Sequence, residues 1–293
     1  PGALPDLAQF TRDFRHPIER EQDQDALQRL RRRLGPFMLR RSKELVAREL
    51  PAKTEQTVPI ELEAHRRVAY ERQLNHERQQ LLGLLDDSGG KVEILAGLTR
   101  LRKLAADPGT AEHPSSKNAF LIDQIQQLRA EGHRVLVFSQ WASHLGVLAD
   151  QLRIDGITHT LLDGSTSDRE GAIAAFRQDA ADVFLLSLKA GGVGLTLTEA
   201  DYVFFLDPWW NPAVEAQAAD RAHRIGQTRP VNVYRLVASG TIEEKVIRLQ
   251  ERKRQLGRDV LDGDGFSALG ADDIRFLLDD HDEETEGGND AAS

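Results

Sequence analysis

Short apolar segments alternate with helical patterns through the second half of this 293-residue chain. The apolar segments are 134–138, 158–162, 183–188, 202–206 and 231–236, and helical patterns cover 117–130, 143–153, 168–178 and 213–224. Segments that are apolar throughout are typical of strands covered on both faces, and helices between them require parallel crossovers. The pattern therefore predicts an α/β fold, an open parallel sheet with helices on both faces.

The first part of the chain has a different character, because charged helical patterns dominate it. Pro51 breaks the first of these patterns, a partly alternating stretch at 54–62 could form a strand, and helical patterns follow at 64–85 and 92–106. A further helix is predicted at 241–256. We divide the chain into 1–53, a mainly helical segment 54–116, an α/β lobe 117–240, a C-terminal helical segment 241–280 and an acidic, disordered tail 281–293.

Charge is unevenly distributed along the chain, although the formal net charge is −9. Residues 259–293 contain twelve acidic side chains and one arginine, whereas residues 29–53 contain nine basic and two acidic side chains. An acidic tail on a basic body is compatible with a nucleic-acid partner. Solvated helix faces would give the same charge runs.

Several functional classes are excluded or disfavoured by composition. The chain has no cysteine, so disulfides, thiolate metal sites and cysteine nucleophiles are excluded. No apolar run approaches the roughly 18 residues of a membrane span, and no signal-peptide pattern opens the chain. We expect a soluble intracellular protein with no membrane partner, cytoplasmic in a bacterium or nuclear in a eukaryote. Because the chain begins at Pro1, we also expect a piece of a longer protein.

Two short patterns suggest nucleotide chemistry but fail on inspection. Gly90-Lys91 resembles the end of a P-loop, but Val92 stands where Ser or Thr is required and the upstream glycine is absent. Asp282-Glu283 resembles a magnesium-binding pair, but it lies in the acidic tail and not at the end of a strand. We therefore expect neither a phosphate cradle nor a metal site within this sequence.

The stretch from Gln217 to Gln227 (QAADRAHRIGQ) carries two arginines with helical spacing. On a helix, Gln217, Arg221 and Arg224 would share one face, and Asp220 would lie one turn before Arg224. Two guanidinium groups on one stripe can neutralise charge on a phosphoryl group, as arginine fingers do. An exposed helix with ordinary ion pairs is the alternative. His223 points away from the stripe, so we interpret it as structural.

QAADRAHRIGQ also closely resembles the last helicase motif of the Swi/Snf-like branch of superfamily-two motors. Further segments resemble that family's motifs in the family's order: 36–53, 98–108, 135–141 (VLVFSQW), 162–166 (LDGST), 185–201, 207–212 (DPWWNP) and 240–253. The resemblance covers roughly residues 8–278 and implies the second, RecA-like lobe of a DNA translocase. Residues 1–53 would be the end of the first lobe and the linker between the lobes. The rest of the first lobe, which holds most of the ATP and Mg²⁺ contacts in the family, is not expected within this sequence.

The resemblance implies roles for individual residues. Arg221 and Arg224 would act as catalytic arginine fingers, and the nucleotide-side residues would be Gln217, Asp220 and Gly192. Residues expected at the DNA are Ser139, Gln140, Ser187, Lys189, Gly191 and Trp210. Trp209 would pack internally. The family usually has Asn at position 196, where this chain has Thr, and often Thr-Arg at 188–189, where it has Leu-Lys. Lysine keeps the positive charge but loses the fork geometry of arginine.

Structural alternatives accompany these assignments. The glycines at 191–194 could form a tight turn, Ser139 or Ser143 could cap a helix, and either tryptophan could be buried. For the whole chain we expect part of an ATP-driven translocase on double-stranded DNA. Its partners would be its own N-terminal lobe and possibly a DNA-bound protein. A non-catalytic nucleic-acid-binding module and a lobe of an RNA helicase are the alternatives.

Overall fold

The computed structural model describes residues 6–20, 23–34, 50–81, 83, 90–189, 195–255 and 271–278. The chain forms two compact units, residues 1–49 and residues 50–293. None of the helices in these described ranges is long and apolar enough to cross a membrane.

The first unit is helical in its described part. It contains α1 (Leu7–Phe10), a π-helical turn (Thr11–Arg15), α2 (His16–Arg20) and α3 (Gln24–Leu34). The Asp23 carboxylate accepts the backbone N–H groups of residues 25 and 26, which would otherwise have no partner at the beginning of α3. Phe14, Ala26 and Leu30 form the buried side of the unit.

The second unit contains a six-stranded, fully parallel sheet. Its strands are β1 (Lys53–Ile60), β2 (Val135–Ser139), β3 (His159–Leu162), β4 (Val183–Ser187), β5 (Tyr202–Phe205) and β6 (Val231–Ala238). Their spatial order is β1-β6-β5-β2-β4-β3. The predicted α/β class is therefore confirmed.

One difference from the predicted division concerns β1. This strand pairs with β6 along its whole length, from Lys53 opposite Val231 to Ile60 opposite Ala238. The sequence division at 116/117 separates β1 from the five strands with which it shares a sheet. The reason is physical: β1 is an edge strand with mostly exposed residues, so it lacks the continuous apolar run that marked the others.

Helices cover both faces of the sheet. The unit contains α4 (Ala64–Leu81), α5 (Lys91–Ala105), α6 (Ser116–Ala130), α7 (Ala142–Ile154), α8 (Arg169–Arg177), α9 (Pro212–Ala219), α10 (Ile242–Gln255) and α11 (Ala271–Leu278). Alternate strand residues face opposite ways: Leu136 and Phe138 pack towards α8 and α9, whereas Val135 and Val137 pack towards α6 and α7.

A third apolar cluster lies beyond the sheet and joins the flanking helices. Side chains of α4, α5, α10 and α11 meet there, with Tyr70, Leu98, Leu101, Val246 and Leu277 almost completely buried. The Tyr70 hydroxyl accepts the backbone N–H of Ile242 at 2.6 Å, which satisfies one of the first donors of α10. The helices before and after the sheet therefore share one apolar cluster with Ala238 at the end of β6.

Candidate functional site

The central strands β4, β2 and β5 are neighbours, so their carboxyl ends meet at one edge of the sheet. Ser139 at the end of β2 lies opposite Ser187 at the end of β4, and Phe138 lies opposite Phe205 in β5. Ligands of open parallel sheets bind outside this edge. The segments 139–141, 187–189 and 206–211, which carry most of the predicted DNA residues, all leave from it.

Asp207 is the buried carboxylate that organises this edge. Ser139 Oγ donates to Asp207 Oδ2 at 2.5 Å, and the Gln140 backbone N–H donates to Oδ1 at 3.1 Å. Ser139 Oγ in turn accepts the Trp141 N–H at 3.0 Å, and the side chain is completely inaccessible. Ser139, expected at the DNA, therefore has its hydroxyl engaged in internal hydrogen bonds that shape the β2–α7 turn.

The remaining DNA candidates differ in exposure. Ser187 is buried, with 5% of its surface accessible, so its side chain does not present a surface contact here either. Lys189 is exposed, and Gln140 is partly exposed with its Nε2 buried and without a hydrogen-bond partner. Gly191 and Gly192 lie outside the described residues. Gln140 and Lys189 thus remain as the accessible members of the predicted set at this edge.

The loop 206–211 after β5 is held by a buried cation from α5. Arg102 donates from Nη2 to the Pro208 carbonyl at 2.7 Å, and its guanidinium lies 4.7 Å from the Trp210 ring centre and 5.5 Å from that of Trp209. Burial lowers the pKa of Arg102 to about 10, although Asp207 and two glutamates nearby oppose the shift. The group is still charged at neutral pH, so it acts as a fixed cation beneath the loop.

A buried ion pair fixes the same loop to α6 and α10. Lys117 Nζ donates to the Leu206 carbonyl at 2.9 Å and to Glu243 Oε2 at 2.6 Å, and both side chains are at most 4% exposed. Glu243 also accepts the Ala238 N–H at 2.8 Å, and Gln250 donates to the Trp209 carbonyl. The loop is therefore attached to helices on both sides through buried hydrogen bonds.

Trp210, expected to face the DNA groove, is buried in this structure. Only 6% of Trp210 is accessible, because its ring packs among the apolar residues of α5, α10 and α11. Trp209, predicted to pack internally, is half-buried against the opposite cluster. Cation–π contact with Arg102 and apolar burial together hold the Trp210 ring inside the protein.

Glu215 fixes α9 from its first turn. Its Oε1 accepts the Trp209 N–H at 2.7 Å, and its Oε2 accepts Arg235 Nε of β6 at 2.6 Å. Arg235 also donates from Nη2 to Glu55 of β1 at 2.9 Å. The pKa of Arg235 rises despite burial, because the charges of Glu215 and Glu55 stabilise the guanidinium. This chain of ion pairs ties α9 to the sheet.

The helix that carries Gln217 ends sooner than predicted. α9 stops at Ala219, so Gln217 lies on the helix while Arg221 and Arg224 lie on the turns that follow. Short-range backbone hydrogen bonds, such as the one from the Ala222 N–H to the Ala219 carbonyl, replace the helical pattern. The Leu197 N–H donates to the Arg221 carbonyl at 2.9 Å. The spacing predicted that Gln217, Arg221 and Arg224 share one face of a single helix. This prediction is wrong, although the arginines remain three residues apart in sequence.

Gly226 and Gln227 close this turn. Gly226 has a φ of +106°, a conformation that side-chain-bearing residues rarely adopt. The Gln227 side chain donates to the Ala200 carbonyl at 2.8 Å and accepts two backbone N–H groups of residues 228 and 229. The segment 220–227 thus has a loop conformation fixed by hydrogen bonds, and it is not a frayed helix end.

The two arginines of this loop have no ion-pair partner in the described parts of the chain. Arg224 is exposed, and Arg221 is half-buried with an Nε that has no hydrogen-bond partner. Burial lowers the pKa of Arg221, the charge of Arg224 lowers it further, and Asp220 partly offsets both. Two guanidinium groups that repel each other form a site complementary to an anion such as a phosphoryl group.

His223 lies between these arginines in sequence but serves another contact. One ring nitrogen, Nε2, lies 2.8 Å from the Pro51 carbonyl, immediately before β1. This contact agrees with the structural role assigned to His223. No cluster of three His, Asp or Glu side chains suited to a metal ion occurs among the residues that the structure describes.

Sequence reasoning missed the buried charges that support the site. The buried Arg102, Lys117, Glu215 and Glu243 and the partly buried Arg235 lie in segments interpreted only as helix or strand. A weak signal was available, because a charge that falls on the apolar face of a helix must find a partner when buried. The partners, however, are 20 to 126 residues away, so periodicity could not identify them.

Comparison with known proteins agrees with this architecture. The model of the helicase conserved C-terminal domain matches residues 116–226, and that of the SNF2-related domain matches residues 1–110, so together they match most of the chain. This chain belongs to the SNF2 family.

Individual members of the SNF2 family show the extent of the similarity. An ATP-dependent helicase of Mycoplasma genitalium is 33% identical over 285 residues, covering 94% of this chain and 27% of the relative. The human SWI/SNF-related matrix-associated actin-dependent regulator of chromatin subfamily A member 1 is 37% identical over 277 residues, covering 86% and 26%. This SNF2-family chain therefore spans about a quarter of the length of these relatives.

A solved structure gives the same result for the fold of this SNF2-family chain. The Sulfolobus solfataricus SWI2/SNF2 ATPase core in complex with double-stranded DNA has a TM-score of 0.65 and 28% identity, and the match covers 94% of this chain and 61% of that one. The RecA-like α/β fold expected from the family motifs is confirmed.

Proposed function

We propose that this chain is part of an ATP-dependent double-stranded DNA translocase, in which it supplies arginine fingers and contacts to the DNA backbone. The observation that carries the proposal is the loop after α9, where Arg221 and Arg224 are held without a carboxylate partner in the described structure. Relatives named as ATP-dependent helicases and a similar ATPase core bound to double-stranded DNA support the choice of nucleotide and polymer.

The fit of ATP to this loop rests on the charges that the loop presents. Arg221 and Arg224 would contact the phosphates, and Gln217 on the exposed side of α9 would lie at the nucleotide side of the same loop. Asp220 would orient the neighbouring guanidinium groups, and Gly192 belongs to the proposed set on the family resemblance alone. Mg²⁺ and most of the phosphate contacts would come from a first motor lobe. ATP bound there supplies the phosphoryl group whose transfer drives the cycle.

The residues of this chain would act through charge and position. The half-buried Arg221 keeps its charge in a partly desolvated place, where it stabilises developing negative charge more than it would in water. Glu215, Arg235 and the ion pairs around loop 206–211 hold α9 and the sheet edge as one body. Movement of this body towards and away from the first lobe would bring the arginines to the phosphates and release them again.

DNA would lie along the carboxyl edge of the sheet. Lys189 and Gln140 are accessible there, and their contacts would be to backbone phosphates rather than base edges. Phosphate contacts position a protein on DNA without reading its sequence, so we expect little sequence specificity.

The test is ATP turnover of the full-length protein with duplex DNA, single-stranded DNA and RNA as activators. We expect duplex DNA to stimulate turnover most, and Arg224→Lys to reduce stimulated turnover about 10³-fold with little change in DNA affinity. Stimulation by RNA alone would favour a helicase acting on RNA. Turnover in Arg224→Lys above about a third of wild type would contradict the finger assignment.

A further inference from the structure

One peptide group links helix α8 to the loop that carries the proposed arginine fingers. The Arg177 guanidinium, in the last turn of α8, donates from Nη2 to the Thr196 carbonyl at 2.7 Å. The N–H of the same peptide group, which belongs to Leu197, donates to the Arg221 carbonyl at 2.9 Å. Arg177 is therefore two hydrogen bonds away from the backbone of a proposed finger.

The planarity of the peptide bond makes this link direct. The carbonyl oxygen and the N–H of a trans peptide group point in opposite directions and cannot rotate relative to each other. Fixing the Thr196 carbonyl therefore also fixes the direction in which the Leu197 N–H donates. A guanidinium on the carbonyl also polarises the peptide group, which strengthens the hydrogen bond that its N–H donates to Arg221.

Segment 196–200, which Arg177 contacts, supports the arginine loop at both ends of that loop. Near the start of the loop, the Leu197 N–H bonds to the Arg221 carbonyl, and at its end, Gln227 Nε2 donates to the Ala200 carbonyl at 2.8 Å. The Leu197 side chain is also completely buried in the apolar cluster on this face of the sheet. A shift of segment 196–200 would therefore move the arginine loop with it.

Arg177 holds this segment from the solvent side. Besides the hydrogen bond to the Thr196 carbonyl, its Nε lies 3.9 Å from Glu199 Oε1, and 46% of its side chain is accessible. Its positive charge also suits the C-terminal end of α8, which carries partial negative charge. Exposed ion pairs contribute little to stability, so we do not expect the chain to need Arg177 for folding.

We propose that Arg177 is a positioning residue for the arginine fingers. By fixing the peptide group between Thr196 and Leu197, it holds the backbone of Arg221 in the place from which the Arg221 guanidinium reaches the phosphates. Arg177 itself contacts neither ATP nor DNA. The proposal rests on the proposed function, because it assumes that Arg221 acts on a phosphoryl group. Even small displacements of such a group lower the rate, since the reaction depends on orientation.

The experiment measures kcat and the KM for ATP of the full-length protein with saturating duplex DNA. Arg177→Ala should lower kcat about 10-fold and leave the KM for ATP unchanged, because the fingers act in the transition state. Arg177→Lys should restore most of kcat, since an ammonium can also donate to the Thr196 carbonyl. In an Arg221→Lys background, Arg177→Ala should lower kcat no further, because both changes act through the same group.

Arg129 provides a matched control on another helix. It lies in the last turn of α6, donates to the Gly156 carbonyl at 3.4 Å and pairs with Asp182 at 3.2 Å, with 35% of its side chain accessible. Arg129→Ala should change kcat less than about two-fold and should shift the unfolding temperature as little as Arg177→Ala does. Thermal unfolding of both variants checks this equality.

The outcomes separate the two proposals. If duplex DNA stimulates turnover and Arg221→Lys lowers it, but Arg177→Ala behaves as Arg129→Ala does, the positioning role is wrong and the proposed function stands. The positioning role is also overturned if Arg177→Lys restores nothing, or if Arg177→Ala lowers kcat equally with and without Arg221→Lys. A weaker salt dependence of duplex binding in Arg177→Ala would make Arg177 a direct DNA contact instead. If the wild-type protein shows no DNA-stimulated turnover, both proposals fail.

Discussion

Two arginines near α9 have opposite surroundings. Arg235 lies between Glu215 and Glu55, within 2.9 Å of both, and these carboxylates raise its pKa in spite of burial. Arg221 has no carboxylate within ion-pair distance among the described residues, and burial together with Arg224 lowers its pKa. A cation that is paired with carboxylates of the same protein stabilises the fold. A cation left unsatisfied at a cost in free energy is available to a ligand.

The same contrast separates the loop 206–211 from the loop 220–227. In the first loop, the Leu206 and Pro208 carbonyls and the Asp207 carboxylate are hydrogen-bonded to partners from other elements. The backbone of the second loop forms hydrogen bonds within the protein, but the Arg221 and Arg224 side chains have no ion-pair partner among the described residues. We infer that loop 206–211 is a rigid support and loop 220–227 is the reactive element.

The largest expected effect on stability comes from breaking the support at its buried ion pair. Lys117→Met leaves the Glu243 carboxylate buried without its cation, which should destabilise the chain by about 3–5 kcal/mol. Urea unfolding of the 293-residue chain measures this change. Arg153→Ala, which removes an exposed ion pair, should stay within about 1 kcal/mol of wild type. Equal effects from the two variants would show that the buried pair is not a support.

A smaller effect is expected from the backbone of the arginine loop. Gly226→Ala places a side chain at a φ of +106°, which should cost about 1–2 kcal/mol through strain rather than crowding, since the nearest atoms are 3.8 Å away. Gly146→Ala, inside α7 with open space around it, should instead stabilise by up to about 1 kcal/mol. Thermal unfolding compares the two. A higher unfolding temperature for Gly226→Ala than for wild type would contradict the positive φ at this position.

The smallest expected effect is a pH dependence at the outer end of the ion-pair chain. Burial would raise the pKa of Glu55, but Lys53 and Arg235 outweigh it and lower the pKa to about 2. The folded form therefore holds its charge below the ordinary value of 4.5, so the contribution to stability is complete above pH 4.5 and is lost as pH falls towards 2.

Glu55→Gln should accordingly flatten the loss of unfolding free energy between about pH 5 and pH 2. Denaturant unfolding of wild type and Glu55→Gln at each pH measures the difference. If the unfolding free energy falls equally steeply with pH in both proteins over that window, Glu55 is not part of the ion-pair network that reaches α9.

The fold was more predictable than the site because the two depend on different ranges of interaction. Continuous apolar runs marked five strands to within one or two residues, since burial on both faces leaves a local pattern. The end of α9 was missed because Gln227, Ala200 and Leu197 set it through contacts across the fold. The burial of Trp210 could not be read from the sequence for a similar reason: the cation that holds it, Arg102, is 108 residues earlier in the chain.

The contrast between Arg221 and Arg235 is tested most directly by making the same substitution at both positions. ATP turnover with duplex DNA and thermal unfolding are measured for Arg221→Lys and Arg235→Lys in the full-length protein. Arg221→Lys should lower turnover about 10³-fold and leave the unfolding temperature unchanged. Arg235→Lys should lower the unfolding temperature. At assay temperatures below its unfolding transition, this variant should retain most of the ATP turnover. If Arg221→Lys retains turnover, or destabilises as much as Arg235→Lys, then Arg221 is a structural residue and not an arginine finger.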